Sequence, residues 1–277
     1  SRDMTSTDIE QITRNIISNH DFRVDDASAR LLAAIKGDRF IDLLRGADRI
    51  RAHFMGNSIF TCTIVNAKSG RCSQDCAFCA QSAHHETQVA VYPLMPKSEL
   101  VERGMEMADA GASHYSIVTS GFKLSDQEID SICEVAVAIQ SRADITLCCS
   151  VGVLNKTQAE KLRQSGIRNY HHNLETAGSY FDQVCTTHAY DADIASIKTA
   201  QQAGLTICAG GILGLGETWD QRIELAMTLR EAGASKIPLN FINPIAGTRM
   251  AGRPLLTPGE ALKSIALFRY IHPDRDI

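Results

Sequence analysis

The stretch "HYSIVTSGFKLSDQEIDSICEVAVAIQ", residues 114–140, contains one complete strand–loop–helix unit. Residues 114–120 are rich in β-branched and aromatic types, which predicts a strand. Ser125 and Glu128 then form a capping box at the start of an amphipathic helix. Ile129, Ile132, Ala136 and Ile139 recur at helical spacing, and Cys133 lies on the same stripe, so it reads as a core residue.

The same unit repeats along the chain. Upstream, "SIFTCTIVNA" (58–67) is a strand and "KSELVERGMEMADAGA" (97–112) its helix. Downstream, "DITLCCSVG" (144–152) is followed by "NKTQAEKLRQSG" (155–166), and "RNYHHNL" (168–174) by "DADIASIKTAQQAG" (191–204). "LTICAGG" (205–211) is followed by "TWDQRIELAMTLREAG" (218–233), and "SKIPLNFIN" (235–243) by a helix opening at Thr257-Pro258-Gly259-Glu260. "PDRDI" (273–277) is expected to begin a seventh strand. Strands alternating with helices predict parallel βαβ units. The expected fold is α/β, a TIM-like (β/α) barrel of parallel strands whose C-terminal strand or strands are missing, with a doubly wound open sheet as the alternative. Residues 1–57 carry helical periodicity only and are read as an N-terminal helical extension, leaving 58–277 as the barrel.

The composition fits this class. Of 277 residues, 44% are apolar and 22% charged, and the net charge is -4, so no basic surface suggests nucleic acid. No apolar run is long enough to suggest a membrane span, and the start lacks the apolar segment of a signal peptide. Nine cysteines, an odd number, fit reduced thiols in the cytoplasm better than a secreted disulfide scaffold.

Three of those thiols decide the chemistry. "SGRCSQDCAFCAQS" (69–82) follows the first strand and spaces Cys72, Cys76 and Cys79 as C-x3-C-x2-C. A barrel places its functional loops there. Three cysteines in a polar loop have no packing purpose, so they read as metal ligands. Zinc completed by His84 is one reading. A [4Fe-4S] cluster with one iron left open is the other.

The spacing, with Phe78 before the last cysteine, resembles the signature of radical S-adenosylmethionine (SAM) enzymes, whose open iron chelates the amino and carboxylate groups of SAM. Within them the chain resembles the biotin synthase family, through "NAKSGRCSQDCAFCAQS", "YHHNLETA", "CTTHAYD", "ICAGGILGLGET", "IPLNFINPIAGT" and "ALFRYIHPDRD". The resemblance implies sulfur insertion into dethiobiotin through 5'-deoxyadenosyl radicals, with an auxiliary Fe–S cluster donating the sulfur. It implies Phe78, Asn173, Glu175 and Ile212 at the cofactor, and Asn173, Asn240 and His171 at the substrate. It gives no residue a separate catalytic role. Auxiliary-cluster ligands are implied on strands two, three and five. Cys148 and Cys208 match, but Ser116 stands at the strand-two position, with Cys149, Cys133 or Cys62 as substitutes. Cys149 should point to the other face of its strand. A further family ligand, an arginine, would lie beyond Ile277, where more residues are expected.

Three positions depart from the family pattern: Ser116, His171 and Asp193, the last replacing an arginine that would meet the SAM carboxylate. A flavodoxin- or ferredoxin-type electron donor and a homodimer are implied by resemblance alone. A lipoyl synthase acting on octanoyl groups, and a mutase or maturase without sulfur insertion, are the related alternatives. A zinc-stabilised binding protein is the non-enzyme alternative. Elsewhere, His171 and His172 are strand neighbours that should face opposite sides. Cys185 reads as structural, and Arg249 either as a solvated charge or as a partner for a substrate carboxylate.

Overall fold

The computed structural model describes residues 4–277. It opens with helices α1 (Ser6–Ser18), α2 (Asp26–Ala33) and α3 (Arg39–Met55). The alternating part is β1 (Cys62–Lys68), α4 (Lys97–Asp109), β2 (His114–Thr119), α5 (Asp126–Gln140), β3 (Thr146–Ser150), α6 (Lys156–Gln164) and β4 (Asn169–His171). It continues with α7 (Tyr190–Gln202), β5 (Thr206–Cys208), β6 (Gly211–Leu213), α8 (Trp219–Glu231), β7 (Leu239–Phe241) and α9 (Pro258–Ile271). Both capping boxes read from the sequence form: Ser125 and Thr257 each accept from the backbone three residues on, and Glu128 and Glu260 reach back.

Strand order separates the two candidate architectures. A doubly wound sheet reverses direction at a switch point. Here β1 to β5 pair in sequential order and all in parallel, which is the order of a barrel wall. The wall continues through single parallel pairings: Glu175 with Gly211, Cys208 with Lys236, and Lys236 with Asp276. The Ile237 N–H also donates to the Asp276 carbonyl at 2.8 Å, so "PDRDI" does start to pair beside the sixth strand.

One expected strand, 205–211, is divided. β5 ends at Cys208, and β6 starts at Gly211 and pairs with β7. The reason is a backbone contact: a Cβ on Gly210 would stand 1.9 Å from the Pro238 carbonyl oxygen. Only glycine lets the chain pass so close, and the strand bends there.

Alternation sorts the wall into two faces. Tyr115, Ile117, Leu147, Cys149, Tyr170 and Ile207 are buried and form the face packed under the helices. His114, Ser116, Cys148, Asn169, His171 and Cys208 occupy the alternate positions, which face the barrel interior. The lead-in helices belong to the same apolar core, which runs from Met4 through Ile9, Leu43 and Ile50 to Ile271. α3 packs on α1 and α9, and α2 on α8 and α9. Thr13 and Tyr270 share a hydroxyl–hydroxyl hydrogen bond of 2.8 Å beside Gly46, where a Cβ would collide with the Tyr270 hydroxyl.

Candidate functional site

The cysteine loop is built by backbone hydrogen bonds. Cys72 N–H donates to the Gln81 carbonyl at 2.8 Å, and Ala83 N–H donates back to the Cys72 carbonyl at 2.8 Å. Cys79 N–H donates to the Cys76 carbonyl at 3.0 Å, which turns the loop between the last two thiols. Gly70 and Arg71 take the left-handed backbone needed at the entry, with φ of 78° and 51°.

Two distant segments hold the loop in place. The Asp75 carboxylate accepts from Thr186 N at 2.8 Å and Thr186 Oγ1 at 2.6 Å, and Ala77 N–H donates to the Val184 carbonyl at 2.8 Å. These hydrogen bonds overcome burial and hold Asp75 well below the usual carboxylate range. Arg249 Nη2 donates to the Asp75 carbonyl at 2.6 Å and to the Val184 carbonyl at 3.1 Å. Arg249, although partly exposed, is thus not a free solvated charge: it ties three segments together.

Cys72, Cys76 and Cys79 line a cavity of about 240 Å3 at the strands' C-terminal ends, together with His171, His172, Asn173, Glu175, Cys185, His188 and Asp193. A larger hollow of about 590 Å3 lies outside the wall between β1 and α4, but no thiol faces it. In the thiol-lined cavity, Asn173 Oδ1 accepts from Gly210 N at 3.1 Å. Glu175 takes a left-handed φ of 61°, and its buried Oε2 has no hydrogen-bond partner. Burial, reinforced by the Asp193 charge, pushes the Glu175 carboxyl up to about 7.

Other expected site residues lie apart from the cavity lining. Phe78 and Ile212 pack against an adjoining apolar cluster of Ala77, Val184, Leu215, Ile242 and Met250. Asn240 is exposed on β7, opposite Ile212 in register. Ser116, Cys148 and Cys208 sit deeper, on interior positions of β2, β3 and β5. Cys148 Sγ accepts from Asn169 Nδ2 at 3.2 Å, and Cys208 Sγ lies 3.5 Å from His171 Nδ1.

The two neighbouring histidines both reach the cavity, contrary to the strand-alternation reading. β4 ends at His171, so alternation no longer governs His172. His172 stacks on Tyr170 and places Nε2 at 2.8 Å from Asp193 Oδ1. His188 lies 3.1 Å from Asp193 Oδ2 through Nε2 and 2.7 Å from Gln74 Oε1 through Nδ1. Burial works against a charge on His188, but the hydrogen bond and negative charge of Asp193 prevail and raise it. Two imidazoles likewise overcome burial at Asp193 and hold it low. Sequence reasoning missed His188, Gln74 and Asp75. It read Cys185 as structural, whereas Cys185 lines the thiol cavity and meets His188 Nδ1 at 3.3 Å. "CTTHAYD" is the stretch that carried the signal.

The donor set suits a cluster better than one ion. Among the described residues, no three His, Cys, Asp or Glu side chains converge closely enough to hold a single metal ion. Zinc would draw four donors to within about 2.0–2.3 Å of one centre. An iron–sulfur cluster binds each thiolate through a different iron and so takes a wider set. His84, the expected fourth zinc ligand, instead places Nε2 at 3.0 Å from the Ser73 carbonyl. Burial and neighbouring negative groups push the Cys79 thiol up, a cost that a bound cationic centre relieves.

Comparison with known proteins gives the same direction. Residues 67–229 match the Radical SAM superfamily, and residues 238–277 match the Biotin and Thiamin Synthesis associated domain. Biotin synthase of Geobacter metallireducens is 47% identical over 270 residues, 97% of this chain and 82% of the relative. Biotin synthase of Nitratidesulfovibrio vulgaris is 50% identical over 258 residues, 90% of this chain and 71% of the relative. The chain belongs to the biotin synthase family of radical SAM enzymes.

Membership in the biotin synthase family makes the chain a radical SAM enzyme that inserts sulfur, with a [4Fe-4S] cluster and SAM as cofactors. The TIM-like fold is shared more widely. Methylornithine synthase superposes with a TM-score of 0.83 at 17% identity, over 95% of this chain and 77% of that one. The [FeFe]-hydrogenase maturase HydG gives 0.80 at 19% identity, over 98% and 63%. No helix among the described residues is long and apolar enough to cross a membrane.

Proposed function

We propose that this chain converts dethiobiotin to biotin, with Cys72, Cys76 and Cys79 holding the [4Fe-4S] cluster. The observation that carries the reading is the single cavity in which these thiols meet Asn173 and Glu175. When bound, the cluster and SAM supply a reducing electron and a source of 5'-deoxyadenosyl radicals. The chain supplies the rest. Glu175 Oε2, buried and without a partner, is placed to accept from the ribose hydroxyls of SAM. Phe78 and Ile212 offer the apolar surface for the adenine edge. Among the described residues no Lys or Arg lines the cavity, so positive charge toward the SAM carboxylate falls to His188, fixed by Asp193 and Gln74.

Asn173, Asn240 and His171 are assigned to the ureido ring of the substrate, since amides offer donors and acceptors together. An auxiliary Fe–S cluster sits deeper, on Cys148 and Cys208, with Ser116 at the position expected for a third ligand. The parallel wall screens a carbon radical from solvent on the side of β2 to β5. Of the expected extension 1–57, residues 4–57 serve as a helical lead-in on a barrel of 58–277, and residues 1–3 lie outside the described residues. A flavodoxin- or ferredoxin-type donor, a homodimer and a cytoplasmic setting complete the reading, without nucleic acid or membrane.

The test is anaerobic reconstitution with iron and sulfide counting, followed by product analysis with SAM and dethiobiotin. Two clusters per chain and biotin as product are expected. One cluster, or sulfur found only in a lipoylated carrier protein, overturns the assignment.

A further inference from the structure

β1 starts at Cys62, and its pairing with β2 sets Cys62 opposite His114 and Ile64 opposite Ser116. Val65 and Ala67 are buried, whereas Cys62, Ile64 and Asn66 occupy the alternate positions. By alternation Cys62 shares the interior face with His114, Ser116, Cys148 and Cys208. On the neighbouring strands, Cys148 pairs with Ser116, two residues beyond His114, the partner of Cys62, and the tilt of barrel strands brings positions so staggered on alternate strands to one level. Cys208 follows the same stagger, pairing with His171, two residues beyond Asn169, the partner of Cys148, and Lys236 is bridged to Cys208. Thiols from β1, β3 and β5 therefore border one space inside the barrel, below the cavity of the cysteine loop.

Ser116 lies between them on β2 and brings a hydroxyl, a much poorer iron ligand than a thiolate at neutral pH. The other substitutes are ruled out by position. Cys149 is fully buried on the helix-facing side of β3, and Cys133 is on α5.

We infer that Cys62 supplies the third thiolate of the auxiliary cluster, together with Cys148 and Cys208, in place of Ser116. This rests on the reading that an auxiliary cluster is present. The ligand set then spans alternate strands β1, β3 and β5, and β2 contributes an inward hydroxyl that does not bind iron.

The experiment isolates the second cluster. Cys72, Cys76 and Cys79 are all changed to Ser, the full chain is reconstituted anaerobically, and iron, sulfide and the Mössbauer spectrum are recorded. In that background Cys62→Ser should lower bound iron about tenfold, while Ser116→Ala leaves iron and spectrum unchanged. The double change Cys62→Ser/Ser116→Cys returns a thiolate to the same space and should restore iron, which separates ligation from misfolding. Unchanged iron and spectrum in Cys62→Ser overturn the inference, as does loss of iron in Ser116→Ala alone. A background protein that binds no second cluster defeats the auxiliary-cluster reading itself, and this assignment with it.

Discussion

His172 Nε2 lies 2.8 Å from Oδ1 of Asp193, a carboxylate buried at the barrel mouth whose other oxygen is taken by His188. An acidic side chain thus stands where the family resemblance implies a basic one, and the histidines around it compensate for the charge. Removing it leaves two imidazoles without their anchor. Asp193→Asn should weaken SAM binding about tenfold, equivalent to about 1.4 kcal/mol. Equilibrium SAM binding to the reconstituted enzyme checks this, and an unchanged affinity removes Asp193 from the cofactor site.

Glu175 gives a second, independent handle on SAM. Its buried Oε2 is without a partner until a donor arrives. Above pH 7, where this carboxyl is charged, a hydrogen bond to it contributes roughly 1.5–3 kcal/mol, so Glu175→Ala should there raise the SAM dissociation constant by about tenfold or more. Glu175→Gln should lose less. If both variants bind SAM as the parent does, the ribose assignment fails.

Arg249 acts on the loop rather than on a ligand. Its guanidinium joins the Asp75 and Val184 carbonyls. Arg249→Ala should destabilise the fold by about 1–2 kcal/mol and speed iron release to a chelator. Urea unfolding and the rate of iron loss measure the two effects. A change in the dethiobiotin KM with unaltered iron release would instead point to substrate contact.

His272 governs acid sensitivity. Burial, joined by nearby arginine charges, pushes its imidazole down to about 3, from an unfolded value near 6.5. Below pH 6.5 the unfolded chain binds a proton that the folded one refuses, so the contribution is full above 6.5 and is lost as pH falls toward 3. At pH 5 the loss is about 2 kcal/mol. His272→Gln should therefore lose less stability between pH 7.5 and 5 than the parent, by urea unfolding of the cluster-free chain. Parallel losses would disprove it.

Much of this molecule is legible in its sequence where the signal is local. The box of Ser125 and Glu128 joins residues three positions apart, and it forms as read. The spacing of Cys72, Cys76 and Cys79 is equally compact. What stayed hidden depends on residues far apart in the chain. Cys185 looks idle until the chain folds and brings Thr186 onto Asp75, 111 positions earlier. Cys62 gives no hint of which way it points until strand pairing fixes its face. The bend at Gly210 depends on Pro238, which belongs to the next strand. Local signals reveal elements; register and close approach belong to the assembled wall.

The hydroxyl contact of Thr13 with Tyr270 joins the first helix to the last across nearly the whole chain. The front of the protein therefore acts as a buttress for α9 and cannot be peeled away as a separate module. Heating should give one calorimetric transition rather than two. Clipping off the first helix should leave a particle that loses its barrel at lower temperature, however intact its thiol loop remains.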